Sequence, residues 1–535
     1  MVVLLMIRAS RPKTVYLETF GCQMNVLDSQ LVKGQLEGVG YRFVDDWRQA
    51  DVVLYNTCSV REHAEQKVWS RLGEVGLHKR ANPHVVLGVL GCMAERDGVD
   101  LLKRYPQVDL LCGPGELDKV PLLIDNAVKT GPAPQGRANS DTIALQGNTH
   151  RRSQTLEAAE DQLERIDLSR SFQPDDQLAG GRAAYVRITR GCNKFCTYCV
   201  VPYTRGREVH RPPKHILEEC QRLVEHGVQE ITLLGQTVNH YHYDESAAVT
   251  IHGIQQPQVG SIIGPNRGTG GPGPAAGRGV VSFADLLAMI HDQIPQLPRL
   301  RFVTSFPRDF GDDILQVMRD RPRICRYLHL PVQSGSNRIL KLMNRGYTVE
   351  QYLDLVDRVR QHLPDAELAT DIICGFPTET EQDHEATAEL LRRCRFKNAF
   401  IFKYSPRPRT TAHDRFVDDV PDEVKKRRNN ELLAIQGQIS AQVHAAYVGR
   451  TVEVFVESVS VKAKRMSQSY AGVGGRVELG WEKPVQVTQL TGRTSGDLIV
   501  CFEGDASLIG RIVPVAIGRA SPLTLFGRLA SEPGR

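Results

Sequence analysis

Three cysteines lie in one short stretch with the spacing CxxxCxxC, at Cys192, Cys196 and Cys199. A cluster of the [4Fe–4S] type has four irons, so three thiolates leave one iron open. An open iron can hold a substrate or a cofactor, and the spacing therefore indicates a cluster that carries out chemistry. The alternatives are a structural zinc ion and a chance spacing. A zinc site would more often pair two CxxC or Cys/His knuckles, and no second pair lies nearby.

A second group of three cysteines lies in the N-terminal third, each after a predicted strand. The strands predicted at 14–20, 51–57 and 85–90 lead to Cys22, Cys58 and Cys92. Segments of helical length separate them, so the strands should be parallel in a doubly wound α/β unit, with their carboxyl ends at one edge. We expect the three thiols to converge there on a second cluster with an open iron. The alternative for each cysteine alone is a small buried apolar residue.

Length and composition fit a globular protein of about three domains. The chain has 535 residues, is 41% hydrophobic and carries a net charge of +5, which permits nucleic-acid binding without requiring it. No secretory signal and no run of membrane-spanning length is evident. We therefore expect a cytoplasmic protein with no membrane association, where thiols stay reduced. The other six cysteines are scattered, and we expect them to be structural: Cys112, Cys220, Cys325, Cys374, Cys394 and Cys501.

The middle third alternates six strand-like and helix-like segments over 185–404. This alternation predicts a partial parallel (β/α) barrel with its active site at the carboxyl ends of the strands. Two polar stretches interrupt the periodic pattern, 130–177 and 244–279, and we interpret them as a linker and an insertion loop. The composition of the second stretch, 244–279, cannot support a hydrophobic core. Excising 246–278 should therefore leave function intact. From about 448 onward, short alternating runs predict a small all-β barrel.

These blocks resemble the radical S-adenosylmethionine methylthiotransferases over nearly the whole chain, apart from the two polar stretches. The CxxxCxxC stretch is similar to the radical S-adenosylmethionine signature, and the C-terminal runs resemble the RNA-binding TRAM module. Within the family, Gly-Cys-Gln-Met-Asn at 21–25 is similar to the branch that modifies isopentenyladenosine in tRNA. The ribosomal-protein branch tends to carry Gly-Cys-Pro-Lys-Asn there, and the threonylcarbamoyladenosine branch Gly-Cys-Lys-Val-Asn.

The resemblance implies a domain order. It divides the chain into an N-terminal methylthiotransferase domain with the auxiliary cluster, a linker, a radical S-adenosylmethionine core that contains the insertion 244–279, a helical connection and a TRAM domain, at 12–129, 130–177, 178–415, 416–445 and 446–517. Two positions depart from the family, which usually has glycine where this chain has Thr378 and Arg409. These departures concern local loop shape and RNA contact, and they leave the reaction class unchanged.

The resemblance also implies the chemistry. Its cofactors would be two [4Fe–4S] clusters and S-adenosylmethionine, and the reaction would add a methylthio group to C2 of N6-isopentenyladenosine at position 37 of tRNA. Cys192, Cys196 and Cys199 would hold the cluster that cleaves S-adenosylmethionine, and Cys22, Cys58 and Cys92 the sulfur-donating cluster. Contacts to S-adenosylmethionine are carried over to Tyr198, Gly235, Gln236, Ser334, Ser336, Asp371 and Gly375. Candidates for tRNA contact are Arg205, Arg207, Arg450 and Arg493. For Arg450 and Arg493, in the predicted C-terminal barrel, the alternative is a solvated barrel surface.

The implied partners are the anticodon loop of tRNA, a low-potential electron donor such as flavodoxin or ferredoxin, and donors of sulfur and of clusters. We expect a monomer. One alternative function is methylthiolation of threonylcarbamoyladenosine in tRNA or of a ribosomal protein side chain. Another is a non-catalytic iron–sulfur protein that binds RNA or carries electrons, although two open-iron trios argue against it.

Overall fold

In the computed structural model of the protein, the described residues are 13–59, 62–130, 140–146, 161–170, 179–260, 279–460 and 488–530. None of the helices within these ranges is long and apolar enough to cross a membrane.

The N-terminal unit is a parallel sheet with the strand order β2-β1-β3-β4-β5-β6. Helices cover both faces, and two separate apolar cores lie between them and the sheet. The doubly wound prediction is confirmed, since β1, β3 and β4 are neighbours and run in the same direction. The elements are β1 (Thr14–Thr19), α1 (Gln23–Gly38), β2 (Arg42–Phe43), β3 (Val52–Thr57), α2 (Glu62–Ala81), β4 (Val86–Gly91), α3 (Cys92–Asp97), α4 (Val99–Arg104), β5 (Leu110–Cys112), α5 (Val120–Thr130) and β6 (Ile143–Ala144).

The stretch interpreted as a linker contains a buried helix, α6 (Gln162–Leu168). Its acidic residues Glu164 and Asp167 are almost completely buried, where they pair with Arg211 and Arg187. The polar composition predicted a linker, but residues 162–168 form a helix that packs inside the protein. Much of the remaining stretch lies outside the described residues.

The middle unit is a partial barrel made of two three-stranded parallel sheets, β7-β10-β16 and β17-β18-β19. Main-chain hydrogen bonds between Leu300 and the segment just before β17 join them. Helices pack outside around one large apolar core, as predicted. The elements are β7 (Ala183–Arg187), β8 (Thr189–Arg190), α7 (Val201–Thr204), β9 (Val209–His210), α8 (Pro213–Glu225), β10 (Glu230–Leu234), β11 (His242–Asp244), β12 (Thr250–Ile251), β13 (Ile254–Gln255), β14 (Gln258–Val259), β15 (Val280–Ser282), α9 (Phe283–Gln293), β16 (Arg299–Phe302), α10 (Asp312–Asp320), β17 (Tyr327–His329), α11 (Asn337–Leu342), α12 (Val349–His362), β18 (Glu367–Cys374), α13 (Glu381–Cys394), β19 (Asn398–Lys403), α14 (Thr411–Arg415) and α15 (Asp422–Ala445).

The described part of the predicted insertion is integrated into this unit. Strands β12 and β13 form a hairpin, and β14 pairs antiparallel with β9. The chain then reaches Gly260, whose carbonyl accepts a hydrogen bond from the Asn193 side chain at 3.0 Å. Asn193 lies between Cys192 and Cys196. This differs from the expectation of an unpacked loop, because excising 246–278 would remove a strand that supports a predicted cluster loop.

The C-terminal unit is a closed barrel in the order β20-β21-β22-β24-β23. Its strands are β20 (Thr451–Val459), β21 (Thr488–Arg493), β22 (Ile499–Gly504), β23 (Ile512–Ala520) and β24 (Leu525–Leu529). The all-β prediction is confirmed, and the last strand lies beyond residue 517, where the sequence suggested that the domain ends. The unit contacts Arg299 and Arg301, at the amino-terminal side of β16. It therefore lies at the end of the parallel barrel opposite to the carboxyl ends of the strands.

Candidate active site

The carboxyl ends of β1, β3 and β4 bring the first three cysteines together. We call Cys22, Cys58 and Cys92 the auxiliary trio. Gly21 has φ +123°, and a Cβ atom there would lie 2.5 Å from Cys58 Cβ. Only glycine allows this approach, since other residues rarely adopt that conformation and would clash. Burial raises the pKa of the Cys92 thiol, Arg205 opposes the rise, and Cys22 adds to it, which indicates that the two thiols are close.

Asn25 anchors these strand ends. Its Nδ2 donates to the carbonyl oxygens of Thr57 at 2.8 Å and Phe20 at 3.2 Å. Its Oδ1 lies 3.4 Å from the Cys22 sulfur. Because Asn25 is fully buried, these bonds fix the geometry of β1 and β3 where the thiols emerge. In the sequence, Asn25 stood out only as the last residue of the Gly-Cys-Gln-Met-Asn motif, and nothing there indicated its role in holding the strand ends.

The second three cysteines, Cys192, Cys196 and Cys199, which we call the barrel trio, lie in the loop between β8 and α7. Gly191 permits the sharp entry to this loop, because a Cβ there would lie 1.9 Å from the Arg207 carbonyl oxygen. Burial raises the pKa of the Cys199 thiol to about 12, with smaller contributions from Cys196 and from Cys92 of the auxiliary trio. Burial raises the pKa of Cys192 as well. Thiols in such surroundings stay protonated unless a metal takes the place of the proton.

The two trios lie on either side of a contact between the domains. Helix α3 begins at Cys92 and packs against α7, which follows Cys199 closely. Arg205, at the end of α7, donates to Asp28 Oδ2 at 2.7 Å. Burial disfavours the charge of Arg205, but Asp28 and Cys92 favour it more strongly and raise its pKa. The parallel barrel thus provides a cation to the edge of the auxiliary trio.

Arg345 is a residue that the sequence did not single out. Its Nη1 lies 3.3 Å from the Cys196 sulfur, and its Nη2 donates to the Pro331 carbonyl oxygen at 2.6 Å. Arg345 and Cys196 are 149 positions apart in the chain. No local pattern could have indicated the contact.

Two of the predicted cofactor contacts, Gly235 and Gln236, directly follow the carboxyl end of β10, and a third, Asp371, lies within β18. Gly235 packs tightly, since a Cβ there would lie 2.1 Å from Thr189 Oγ1. Gln236 has a buried Oε1 without a hydrogen-bond partner in the described part of the chain. Asp371 receives a hydrogen bond from His329 Nε2 at 3.1 Å. An orphaned acceptor at this position fits the binding of a ligand with ammonium or hydroxyl groups.

Four other predicted contacts are used within the protein. Tyr198 lies beside Arg345, with its oxygen 3.4 Å from Nη1. Ser336 is the N-cap of α11 and also donates to Asp383 at 2.5 Å. Ser334 is buried and accepts from the Ser336 amide, while Gly375 packs against α15. The structure therefore leaves the predicted cofactor contacts of these four residues as predictions.

The arginines predicted to contact RNA fall into two groups. Arg205 is buried on Asp28, and Arg493 is paired with Asp497 at 2.8 Å and Glu457 at 3.1 Å beside the parallel barrel. Acidic residues thus pair with both arginines, although Arg205 is buried and the Arg493 side chain is still 38% exposed. Their contact with RNA stays a prediction. Arg207 is half-buried and Arg450 is exposed, so their contact with RNA stays a prediction.

Two exposed aromatic side chains stand on β19. Phe400 is 41% and Phe402 39% exposed, whereas Ala399 and Ile401, which alternate with them along the strand, point into the helix-covered core. The Phe400 ring is perpendicular to that of His329 at 6.1 Å. Since Ala399 and Ile401 face the helices, the two phenylalanines face the barrel interior. The alternation was visible in the sequence, but the direction of each face was not.

Comparison with known proteins matches both halves of this site. Residues 14–113 match Uncharacterized protein family UPF0004, and residues 186–391 match the Radical SAM superfamily. The tRNA-2-methylthio-N(6)-dimethylallyladenosine synthase of Rhodopirellula baltica is 40% identical over 97% of this chain and 96% of its own length. The synthase of the same name from Aquifex aeolicus is 37% identical over 97% of this chain and 98% of its own length.

Among solved structures, the radical S-adenosylmethionine methyltransferase TsrM from Kitasatospora setae covers 75% of this chain and 74% of its own, with a TM-score of 0.48 and 16% identity. Both synthases are similar to this chain over nearly its whole length, which includes the two domains that contain the cysteine trios. The chain therefore belongs to the tRNA-2-methylthio-N(6)-dimethylallyladenosine synthase family of radical S-adenosylmethionine enzymes.

Proposed function

We propose that this protein adds a methylthio group to C2 of N6-isopentenyladenosine at position 37 of tRNA. The observation that carries the proposal is the placement of the two cysteine trios across the contact of α3 with α7, where Cys92 contributes to the raised pKa of Cys199. The sulfur donor and the radical source must both reach C2 of the same adenine. The two clusters must therefore border the same cavity. A protein that only stored electrons would not need an open iron in each trio.

The residues present fit the cofactors that the family uses. Each trio offers three cysteine thiols for a [4Fe–4S] cluster, and an arginine lies beside each one, Arg205 and Arg345. When bound, the barrel cluster and S-adenosylmethionine supply the radical that removes the inert C2 hydrogen, and the auxiliary cluster supplies the sulfur. At the barrel mouth, Gln236 and Asp371 offer oxygen acceptors for the polar groups of S-adenosylmethionine.

The substrate base would enter the same mouth. A base in a single-stranded tRNA loop can be turned outward at modest cost, because it has no pairing partner to lose. Phe400 and Phe402 present ring faces on the interior of the barrel, and stacking on such rings contributes about 1–3 kcal/mol per base. The apolar isopentenyl group would also gain from these surfaces.

We further propose that the protein acts in the cytoplasm as a monomer. It would take electrons from a low-potential donor such as flavodoxin or ferredoxin, and clusters and sulfur from the assembly machinery of the cell. No disulfide bond joins any of the twelve cysteines, all of which lie in the described part of the chain, and this supports a reducing compartment.

The test separates the two trios. Changing Cys22, Cys58 and Cys92 to alanine should preserve 5′-deoxyadenosine formation under strong reductant but abolish methylthiolated adenosine. Changing Cys192, Cys196 and Cys199 to alanine should abolish both. Mass spectrometry of tRNA nucleosides and of small-molecule products gives the readout, and iron content should fall by about half in each variant. Methylthiolated product from the first variant would falsify the sulfur-donor assignment.

A further inference from the structure

Arg345 is a buried cation without a carboxylate partner. It is 5% exposed, and no carboxylate oxygen of a described residue lies within 4.0 Å of its guanidinium. Other buried arginines of the described chain are paired, for example Arg205 with Asp28 and Arg211 with Glu164. The difference needs an explanation, since an uncompensated buried charge costs several kcal/mol.

The contacts of Arg345 fix its position. It donates to the Pro331 carbonyl oxygen at 2.6 Å and to the Tyr347 hydroxyl at 3.0 Å, and it lies over the Phe306 ring at 4.4 Å. These neutral groups orient the guanidinium without neutralising it. The remaining direction points to the Cys196 sulfur at 3.3 Å. The nearest group that can carry a negative charge is therefore a cluster ligand.

We propose that Arg345 is a positioning residue of the barrel cluster that tunes its reduction potential, with the anionic cluster as its missing counter-ion. The inference rests on the proposed function, because it requires a cluster on the barrel trio. A [4Fe–4S] cluster held by three thiolates is negatively charged, and becomes more so when reduced. A fixed cation that hydrogen-bonds a ligating sulfur stabilises the reduced state more than the oxidised one. Arg345 thus eases the entry of the electron that cleaves S-adenosylmethionine.

The first experiment measures the potential of this cluster alone. It uses the full chain with Cys22, Cys58 and Cys92 changed to alanine, titrated with reductant and followed by electron paramagnetic resonance. Arg345→Met should lower the equilibrium constant for reduction of the cluster about tenfold or more. Each factor of ten corresponds to a fall of about 59 mV in the reduction potential. Arg345→Lys keeps the charge and should show a smaller fall. The matched control is Arg308→Met, since Arg308 lies over the same Phe306 ring but is paired with Asp309.

The second experiment covers the case in which Arg345→Met does not retain its cluster. Without iron, the wild type contains a buried unpaired cation, so iron-free Arg345→Met should melt at the same temperature as iron-free wild type or higher. With clusters loaded, the order should reverse. A purely structural arginine would lower the melting temperature in both states.

An unchanged potential in iron-loaded Arg345→Met, or destabilisation of the iron-free variant as large as in the loaded one, overturns the proposal. If instead the parent protein binds no cluster on the barrel trio, the proposed function itself fails.

Discussion

At the scale of single residues, Thr378 and Arg409 hold a backbone conformation that is strained for residues other than glycine. The family resemblance leads us to expect glycine at both positions, and both residues have positive φ, +66° for Thr378 and +69° for Arg409. The backbone here requires the left-handed region, which glycine adopts freely and a β-branched residue adopts only with strain. The sequence raised a question about loop shape at these positions, and the structure answers that the loops keep the glycine conformation.

We predict that Thr378→Gly stabilises the protein by about 1 kcal/mol. Relief of left-handed strain outweighs the loss of an exposed hydrogen bond from Arg338 and the greater entropy of glycine in the unfolded chain. The shift in the urea midpoint gives the measurement. The control is Thr250→Gly, an exposed threonine in a strand with ordinary backbone, which should destabilise instead. A fall in stability for both variants would contradict the strain argument.

How much of the site was readable from sequence depends on the distance between partners along the chain. The barrel trio was found because a single loop holds all three cysteines at a fixed spacing. The auxiliary trio was found because parallel strands place their ends at one edge. The sequence did not single out Arg345 and gave no sign that Arg205 pairs with Asp28, since the partners Cys196 and Asp28 lie 149 and 177 positions away. Side-chain pairing across domains has no local signature.

At the scale of elements, strand β14 couples the second polar stretch to the barrel trio. Gly260 makes this connection through two hydrogen bonds. Its amide donates to the Glu208 carbonyl oxygen at 2.8 Å, and its own carbonyl oxygen accepts from the Asn193 side chain. A Cβ atom at Gly260 would lie 2.4 Å from His210 Nε2. Composition indicated a solvated loop here, but short strands are polar when they pair at an edge.

We predict that Gly260→Ala lowers iron on the barrel trio and the yield of 5′-deoxyadenosine, since His210 or the strand must move and disturb the Asn193 contact. Iron on the auxiliary trio should not change. Measurement in the background of three auxiliary cysteine-to-alanine changes isolates the affected cluster. Gly518→Ala is the control, because a Cβ at that glycine meets nothing within 4 Å. Normal iron and normal product in Gly260→Ala would show that the strand is not coupled to the loop.

Helix α6 is the second element that composition concealed. Glu164 is fully buried and accepts from Arg211 Nε at 2.9 Å and contacts His215 Nδ1 at 3.1 Å. We predict that Glu164→Gln destabilises the protein by about 3 kcal/mol, because it removes the charge that balances a buried arginine. The urea midpoint reports the change. Glu218→Gln on the neighbouring helix α8, an exposed site, should change it very little. Equal effects would mean that α6 is only a surface connection.

At the scale of the whole molecule, a buried polar network joins the closed barrel to the amino-terminal end of the parallel barrel. Asp497 is its centre, with Lys397 Nζ at 2.7 Å, Arg493 Nη1 at 2.8 Å and Arg301 Nη1 at 3.6 Å. The sequence predicted both barrels but not this junction, which occupies Arg493 in packing. The C-terminal module therefore lies away from the barrel mouth, and any tRNA that reaches both must run along the side of the protein.

Because Asp497 is titratable, this junction makes the free energy of unfolding depend on pH in the acid range. Burial alone would raise the pKa of Asp497, but Lys397, Arg493 and Arg301 outweigh it and lower the pKa to about 2. An aspartate with a lowered folded-state pKa stabilises the protein above its unfolded pKa of about 4, and this contribution of about 2 kcal/mol is lost as the pH falls toward 2. Burial lowers the pKa of Lys397 to about 8, so this lysine stays protonated over the same acid range and adds no slope.

We therefore predict that Asp497→Asn lowers the urea midpoint at pH 7, by about 3 kcal/mol in free energy, and flattens its decline between about pH 4 and pH 2. The loss at pH 7 follows because two buried cations, Lys397 and Arg301, and the partly exposed Arg493 lose their shared anion. Glu503→Gln, on the exposed face of β22, should leave both the midpoint and the acid slope as in the wild type. If Asp497→Asn kept the full acid slope, the network would not be what holds the two barrels together.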